Sequence, residues 1–409
     1  MVEGMRVERG KTAEADTVEG DLTLGAGSKI GPKSQGKVVV KGITACEGDC
    51  EVLSGMETEG IRGERKGRVS IHGDLLVQGS IELDEGELIV DGLVNARDID
   101  VGRKLSIAKD LHCASVDVGG SLDVGGDAET ESVGVGGSVS VQGRLKARKL
   151  DVGGSVKIKG LVDLDELDVG GVATVGGGRV DSVSVGGTFE SFGKLSFKKL
   201  DVGGIAKIAA GEGQGKIDVG GIFNVQGSLE FDVLNVGGKV DIRGFVKGRH
   251  VEVGGQMDAG ENATIEERLR VGGYAKVGGE LNVGNVEVGG SLAAKVCLAE
   301  GVAVGGEIRT EKGTKAKRFE IGRGGEVKGP IVADEVKIGR GAEVEDVYAG
   351  KLEMEADSSA NNVYAHEARL GPDSRVSGEL LYTGTLELGE EAKVRSGPTK
   401  AEKLPSPPI

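Results

Sequence analysis

A Val-Gly-Gly triplet returns at a nearly constant step through the middle of this chain. Its second glycines stand at Gly120, Gly137, Gly154, Gly171, Gly187, Gly204, Gly221, Gly238, Gly255, Gly273, Gly290 and Gly306. So short a period leaves no room for a helix and its packing partner, but it suits one turn of a β-solenoid. Three apolar columns keep the same step. One runs Val118, Val135, Val152, Val169 and onward to Ile321. Two residues earlier a second runs Val116, Val133, Leu150, Leu167 to Phe319, and four residues after the first a third runs Leu122, Val139, Val156, Ala173 to Ile308. Within a coil the apolar residues alternate with polar ones, as in Leu150-Asp151-Val152 and Val156-Lys157-Ile158, which is the period of a strand with one buried face. From Leu150 to Leu167 three such short sides are separated by Gly153-Gly154 and Gly160.

The expected fold is therefore all-β: a right-handed parallel β-helix, a triangular solenoid of about 17 residues per coil, with roughly 22 coils between residues 21 and 395. The hand follows from the general preference of parallel crossovers. The paired glycines are expected at corners, in left-handed backbone and with no space for a Cβ. Along the chain we expect a loose polar arm over residues 1–20, less regular β-coils over 21–100, the strict Val-Gly-Gly helix over 101–325, further coils over 326–395 and a disordered proline-rich tail over 396–409. In the fourth zone Val347-Tyr348-Ala349 recurs as Val363-Tyr364-Ala365.

Composition removes several functions. A net charge of −15 opposes nucleic acid and anionic membrane surfaces. No apolar run approaches the length of a membrane span, and the first residues lack the apolar core of a signal peptide, so a cytoplasmic setting is expected. Four cysteines, Cys46, Cys50, Cys113 and Cys297, are too few and too scattered for a secreted disulfide framework. The pair Cys46/Cys50 lacks the further ligands a zinc site needs, and His72, His112, His250 and His366 fall into no recognisable catalytic arrangement. Before the column valine an acid often stands: Asp117, Asp151, Asp168, Asp201, Asp218, Glu252, Glu287 and Glu320. This reads as a solvated stripe, because Gly134, Ser184, Asn235, Arg270 and Ala303 interrupt it. The glycine-rich stretches lack the Gly-Lys-Ser/Thr and the following helix of a phosphate loop. No catalytic, cofactor or metal-binding residue is expected, and no enzymatic activity.

The short uniform coils, their short sides and segments such as Gly137-Ser-Val-Ser-Val-Gln-Gly and Gly154-Ser-Val-Lys-Ile-Lys-Gly resemble the bactofilins, a family of polymer-forming cytoskeletal proteins. The resemblance covers roughly residues 70–395. It implies a right-handed triangular β-helix whose copies assemble end to end into nonpolar filaments without nucleotide, with the chain itself as main partner and other proteins bound along faces or tails. Physical reasoning points the same way, because the end of a solenoid exposes unpaired backbone and apolar core. Leu380 and Leu386 are the residues expected at such an end-to-end contact. The alternative is a rod that does not polymerise and presents its acidic face to protein partners or cations.

Overall fold

The computed structural model describes residues 4–63 and 66–409, at position 214 for the backbone alone. These residues contain strands, turns and bends and no helix. The strands form a parallel β-solenoid of about 23 turns, about 17 residues apart. The chain divides into two compact units, Met1–Gly204 and Ile205–Ile409. The division falls inside the strict repeat.

Each turn in unit 1 has strand on three faces, as three separate strands in the earlier coils and, from Leu145–Val152 onward, with strands that run on from one face to the next. Ser115–Val118 on face A is followed by Ser121–Val124 on face B and Ala128–Glu129 on face C, and Ser132–Val135 then returns to face A. Every strand pairs in parallel with its equivalent one coil away: Val116 with Val133, Leu122 with Val139, Ala128 with Leu145. Unit 2 repeats the scheme, with Leu234 opposite Val251, Val240 opposite Met257 and Leu229 opposite Val246. The core is a stack of inward rungs. Members of the three columns read from the sequence, among them Val118, Val152, Leu150, Leu167, Val156 and Phe223, are all buried. Alternation decides this: each inward residue buries aliphatic surface while its neighbours stay in solvent.

The glycine pairs stand between faces A and B. The Gly137 amide donates to the Gly120 carbonyl (2.9 Å), and Gly171 and Gly187 repeat this bond to Gly154 and Gly171 (3.0 Å each). A Cβ on Gly137, Gly171 or Gly187 would stand 2.5–2.6 Å from the carbonyl oxygen of the equivalent glycine one coil below, and on Gly154 it would come closer still to the Gly137 oxygen. The reason for glycine is this close approach of backbone to backbone. The expected left-handed conformation is not found: positive φ occurs at other glycines, such as Gly177 and Gly178 (both +119°), and at none of the twelve. Those two glycines have their own role. Leu145 pairs with Val162 and Val162 with Gly178, the second step one residue shorter than the first, so the second corner of this coil closes with less chain.

The second corner, between faces B and C, is joined by side chains. Asp110 Oδ1 accepts the Asp127 amide (2.8 Å) and Asp127 Oδ1 accepts the Arg144 amide (2.7 Å). In unit 2, Ser228 Oγ accepts the Phe245 amide (3.2 Å) and Asn262 Oδ1 the Glu280 amide (2.9 Å). A short polar side chain thus replaces a missing backbone rung, as Asp, Asn and Ser do in turns.

Two sequence expectations change at the ends, and the zone of less regular coils is found as expected. Residues 5–18, expected as a loose arm, form a full coil of Met5–Val7, Thr12–Glu14 and Thr17–Val18, with Val7, Ala15 and Val18 buried; residues 1–3 lie outside the described residues. The less regular zone winds as coils of uneven length: Met5 pairs with Leu22, whereas the next step on the same face, from Leu24 to Cys46, is longer. The segment expected as a disordered tail begins as a strand, because Pro398–Lys400 pairs in parallel with Leu380–Tyr382.

Candidate functional surfaces

The acidic column lies on the outer side of face A, where strand pairing stacks its members. In unit 1, Glu82 pairs with Asp100 and Asp100 with Asp117, three acids in direct succession. Burial first, and then the charges of Asp117, Asp84 and Glu82, hold the Asp100 carboxyl above its ordinary value. Further along, Gly134 breaks the run and Asp151 and Asp168 resume it. In unit 2 the same column alternates in sign. Arg270 stands between Glu252 and Glu287, with nitrogens 3.6 and 4.0 Å from their oxygens, and Lys337 lies 3.9 Å from Glu320.

Face C of unit 1 shows the alternating pattern too. Lys146 binds Glu129 (2.7 Å), and Arg179 bridges Asp163 (3.3 Å) and Asp181 (2.8 Å). Lys198, at 2.7 Å, and Arg179 hold the Asp181 carboxyl below its ordinary value.

Coiling brings His72 between two acids that lie far from it along the sequence. Its Nδ1 lies 2.7 Å from Asp91 Oδ2 and its Nε2 2.8 Å from Glu51 Oε1. Hydrogen bonding to Asp91 first and Glu51 second raises the imidazole pKa. Lys29, 2.6 Å from Glu51, and then His72 lower that of Glu51. His72 and Asp91 are exposed, Glu51 is half-buried and both ring nitrogens are engaged, so the triplet reads as a charge clasp between coils. Uneven coil length in this zone is why the sequence did not disclose it.

Cys46 and Cys50 close a corner of the core, both buried, with Cys50 Sγ 3.4 Å from the Leu24 carbonyl. The bond to Cys50, added to burial, pushes the Cys46 thiol well up. Burial pushes Cys113 up to about 11 and Cys297 up to about 12, so these thiols stay protonated and unreactive at neutral pH. Among the described residues, no group of three or more His, Cys, Asp or Glu side chains could hold a metal ion, and no helix is long and apolar enough to cross a membrane. A groove of about 600 Å³ on face B of unit 1 collects Lys29, Lys66, Arg68 and Arg103. Each of these cations already faces a carboxylate: Lys29 Glu51, Lys66 Glu85 (3.7 Å), and Arg68 and Arg103 both Glu87 (3.2 and 3.1 Å).

The two residues expected at an assembly contact separate. Leu380 is 1% exposed and has a coil on each side, paired with Val363 and with Pro398. It belongs to the core. Leu386 is half-buried in the following coil, and Leu388, two residues on, is 49% exposed. Leu388 is an exposed apolar residue that the sequence reading did not single out, although its place in the alternation with Leu386 was the available signal.

Fold and surfaces together define a parallel β-solenoid with three strand-bearing faces and a charged exterior. No protein-family model, no curated protein and no solved structure matches this chain.

Proposed function

We propose that this chain is a structural, self-assembling scaffold of the bactofilin kind, a cytoplasmic protein whose copies join end to end by continuing their coil-on-coil pairing, without nucleotide and without catalysis. The observation that carries this reading is the coil of Leu386–Leu388, Lys393–Val394 and Pro398–Lys400. Its strands pair with Ala368–Leu370, Arg375–Val376 and Leu380–Tyr382 on one side. Leu386 and Val394 stay half-buried and Leu388 exposed. A rung of core residues left open in this way is satisfied by a further coil, and a second copy supplies one. His72 is engaged by carboxylates at both ring nitrogens, and burial holds the Cys113 and Cys297 thiols protonated at neutral pH, in keeping with a structural role.

Electron microscopy of the purified protein at micromolar concentration, without nucleotide and over a range of salt, tests the reading. Filaments are expected from the wild type. Leu388→Arg should give short particles with an unchanged β signal in circular dichroism. Uniform small particles from the wild type at every salt would overturn polymerisation and favour the second reading, a rod whose acidic face on unit 1, around Glu82, Asp100 and Asp117, meets basic partners or cations.

A further inference from the structure

Face C of unit 2 carries an outward column unlike the others. Strand pairing stacks Lys315, Val332, Tyr348, Tyr364 and Leu381 one coil apart. Most outward positions of this molecule are charged or polar. Here four consecutive ones are apolar or aromatic, and all four are half-buried. The rings of Tyr348 and Tyr364 lie 4.9 Å apart, tilted by 34°. Burial, the first cause in each, raises both phenol pKa values.

The segment Ala401-Glu-Lys-Leu-Pro-Ser-Pro-Pro-Ile409 is pinned at both ends of this column. The Ala401 amide donates to the Tyr382 carbonyl (2.8 Å), beside Leu381. Four coils away, Lys315 Nζ lies 3.5 Å from the Ile409 carbonyl oxygen. The Ile409 side chain fits there because position 313 is glycine: a Cβ on Gly313 would stand 3.0 Å from Ile409 Cδ1 and 3.0 Å from Pro330 Cγ. Ala401 follows the strand stacked on Leu380–Tyr382, so it stands five coil steps from Lys315, about 24 Å at about 4.8 Å per step. Eight residue steps of polyproline II rise cover about 25 Å, so an extended chain spans the column with little slack. Within the segment Leu404 and Ile409 are partly buried, while the three prolines between them are exposed. Between the two pinned ends stands the stacked tyrosine pair, and a stiff proline spacer carrying apolar anchors is the kind of segment that docks in aromatic-lined grooves.

We infer that face C of unit 2, over Val332, Tyr348, Tyr364 and Leu381, is a docking site for an extended proline-rich segment, with residues 401–409 as its resident ligand in cis. The inference stands apart from end-to-end assembly, since it concerns a flank of the coil stack. Tethering gives the resident segment an effective concentration on the order of millimolar. A free segment of the same chemistry therefore binds well only when the resident one is released.

The test uses the full chain. Leu404→Asp with Ile409→Asp releases the segment, and the probe is a fluorescein-labelled synthetic peptide of residues 401–409. The released variant should bind the peptide, the wild type about tenfold or more weakly, and the released variant carrying Tyr348→Ser and Tyr364→Ser about tenfold more weakly than its parent. A second readout needs no binding partner. The chain has four tyrosines and no tryptophan, and Tyr348, Tyr364 and Tyr382 lie on this face, so intrinsic tyrosine emission should change on release and be restored by unlabelled peptide. No peptide binding by the released variant up to about 1 mM, an affinity too weak to matter beside a millimolar tether, would overturn the site. So would unaltered binding after loss of both tyrosines.

Discussion

On face A the two units carry the same backbone ladder and opposite electrostatic habits. Unit 1 stacks Glu82, Asp100 and Asp117 without a cation between them, whereas unit 2 sets Arg270 between Glu252 and Glu287. Because parallel pairing places equivalent positions about 4.8 Å apart, a residue on this face has its counterparts in adjacent coils as nearest neighbours. Repulsion between exposed like charges at that spacing is only about 1 kcal/mol in water. The buried columns beneath are the same kind of aliphatic rung in both units. The fold is thus set by the inward columns and the corners, and the outward column is free to differ.

The largest effect should come from a corner that both units share. Gly154→Val in unit 1 and Gly238→Val in unit 2 each drive a side chain into the carbonyl of the coil below. Each should cost about 3 kcal/mol or more and lower the melting temperature by about 4–7 °C. A fall of under about 2 °C in thermal unfolding would refute the close-approach account. The matched control is Gly134→Ala, whose Cβ meets nothing nearer than the Asp117 side chain at 3.7 Å. Here we expect stability unchanged or raised by up to about 1 kcal/mol, since glycine weakens a strand interior.

Smaller effects should follow from exchanging the two electrostatic habits. Asp100→Lys gives unit 1 an alternating column of Glu82, Lys and Asp117, and Arg270→Glu gives unit 2 an acidic run. The first should stabilise and the second destabilise, each by under about 1 kcal/mol and less at high salt, as for exposed charges generally. Equal melting curves at low and high salt for both variants would show that face A is electrostatically indifferent.

Titration sharpens the contrast further. In carboxyl NMR, Asp100 should titrate above the ordinary aspartate value and Asp181 below it. The signs for stability are opposite. Asp100, raised in the fold, favours folding below its unfolded pKa and loses that contribution as pH rises through its folded value. Asp181, lowered in the fold, contributes above its unfolded pKa and loses the contribution as pH falls through its folded value. His72 follows the rule for a raised group: its clasp is intact below the ordinary 6.5 and weakens as pH climbs through the folded value. Glu51→Gln with Asp91→Asn should bring the His72 titration down, measured by the imidazole proton shifts.

Much of this architecture was legible because a strict period converts sequence distance into contact. Val118 could be placed against Val135 by counting, and the three inward columns followed. Counting failed where coils differ in length. The long step from Leu24 to Cys46 breaks the count before it reaches the regular step from Met5 to Leu22, and so concealed the first coil in what looked like a polar arm. The same unevenness hid the meeting of Glu51, His72 and Asp91. The glycine pairs were located and the missing space for a Cβ was foreseen, but the expected left-handed φ is absent: the whole constraint is a carbonyl from another coil. Leu380 was mistaken for an end residue because the strand of Pro398–Lys400 that covers it contains a proline, which reads as disorder. That proline occupies a strand with a partner on one side only, the setting in which a missing N–H is tolerated.

The side-chain rungs at the second corner carry one last implication. Asp110, Asp127, Ser228 and Asn262 each reach the amide of the residue opening the next floor, and the bare glycine corners accept any floor built alike. Nothing in such a joint records how many floors lie beyond it. Duplicating one repeat in frame, such as residues 138–154, should therefore lengthen the protein without any new packing solution, making its size a quantity that heredity can tune by copying.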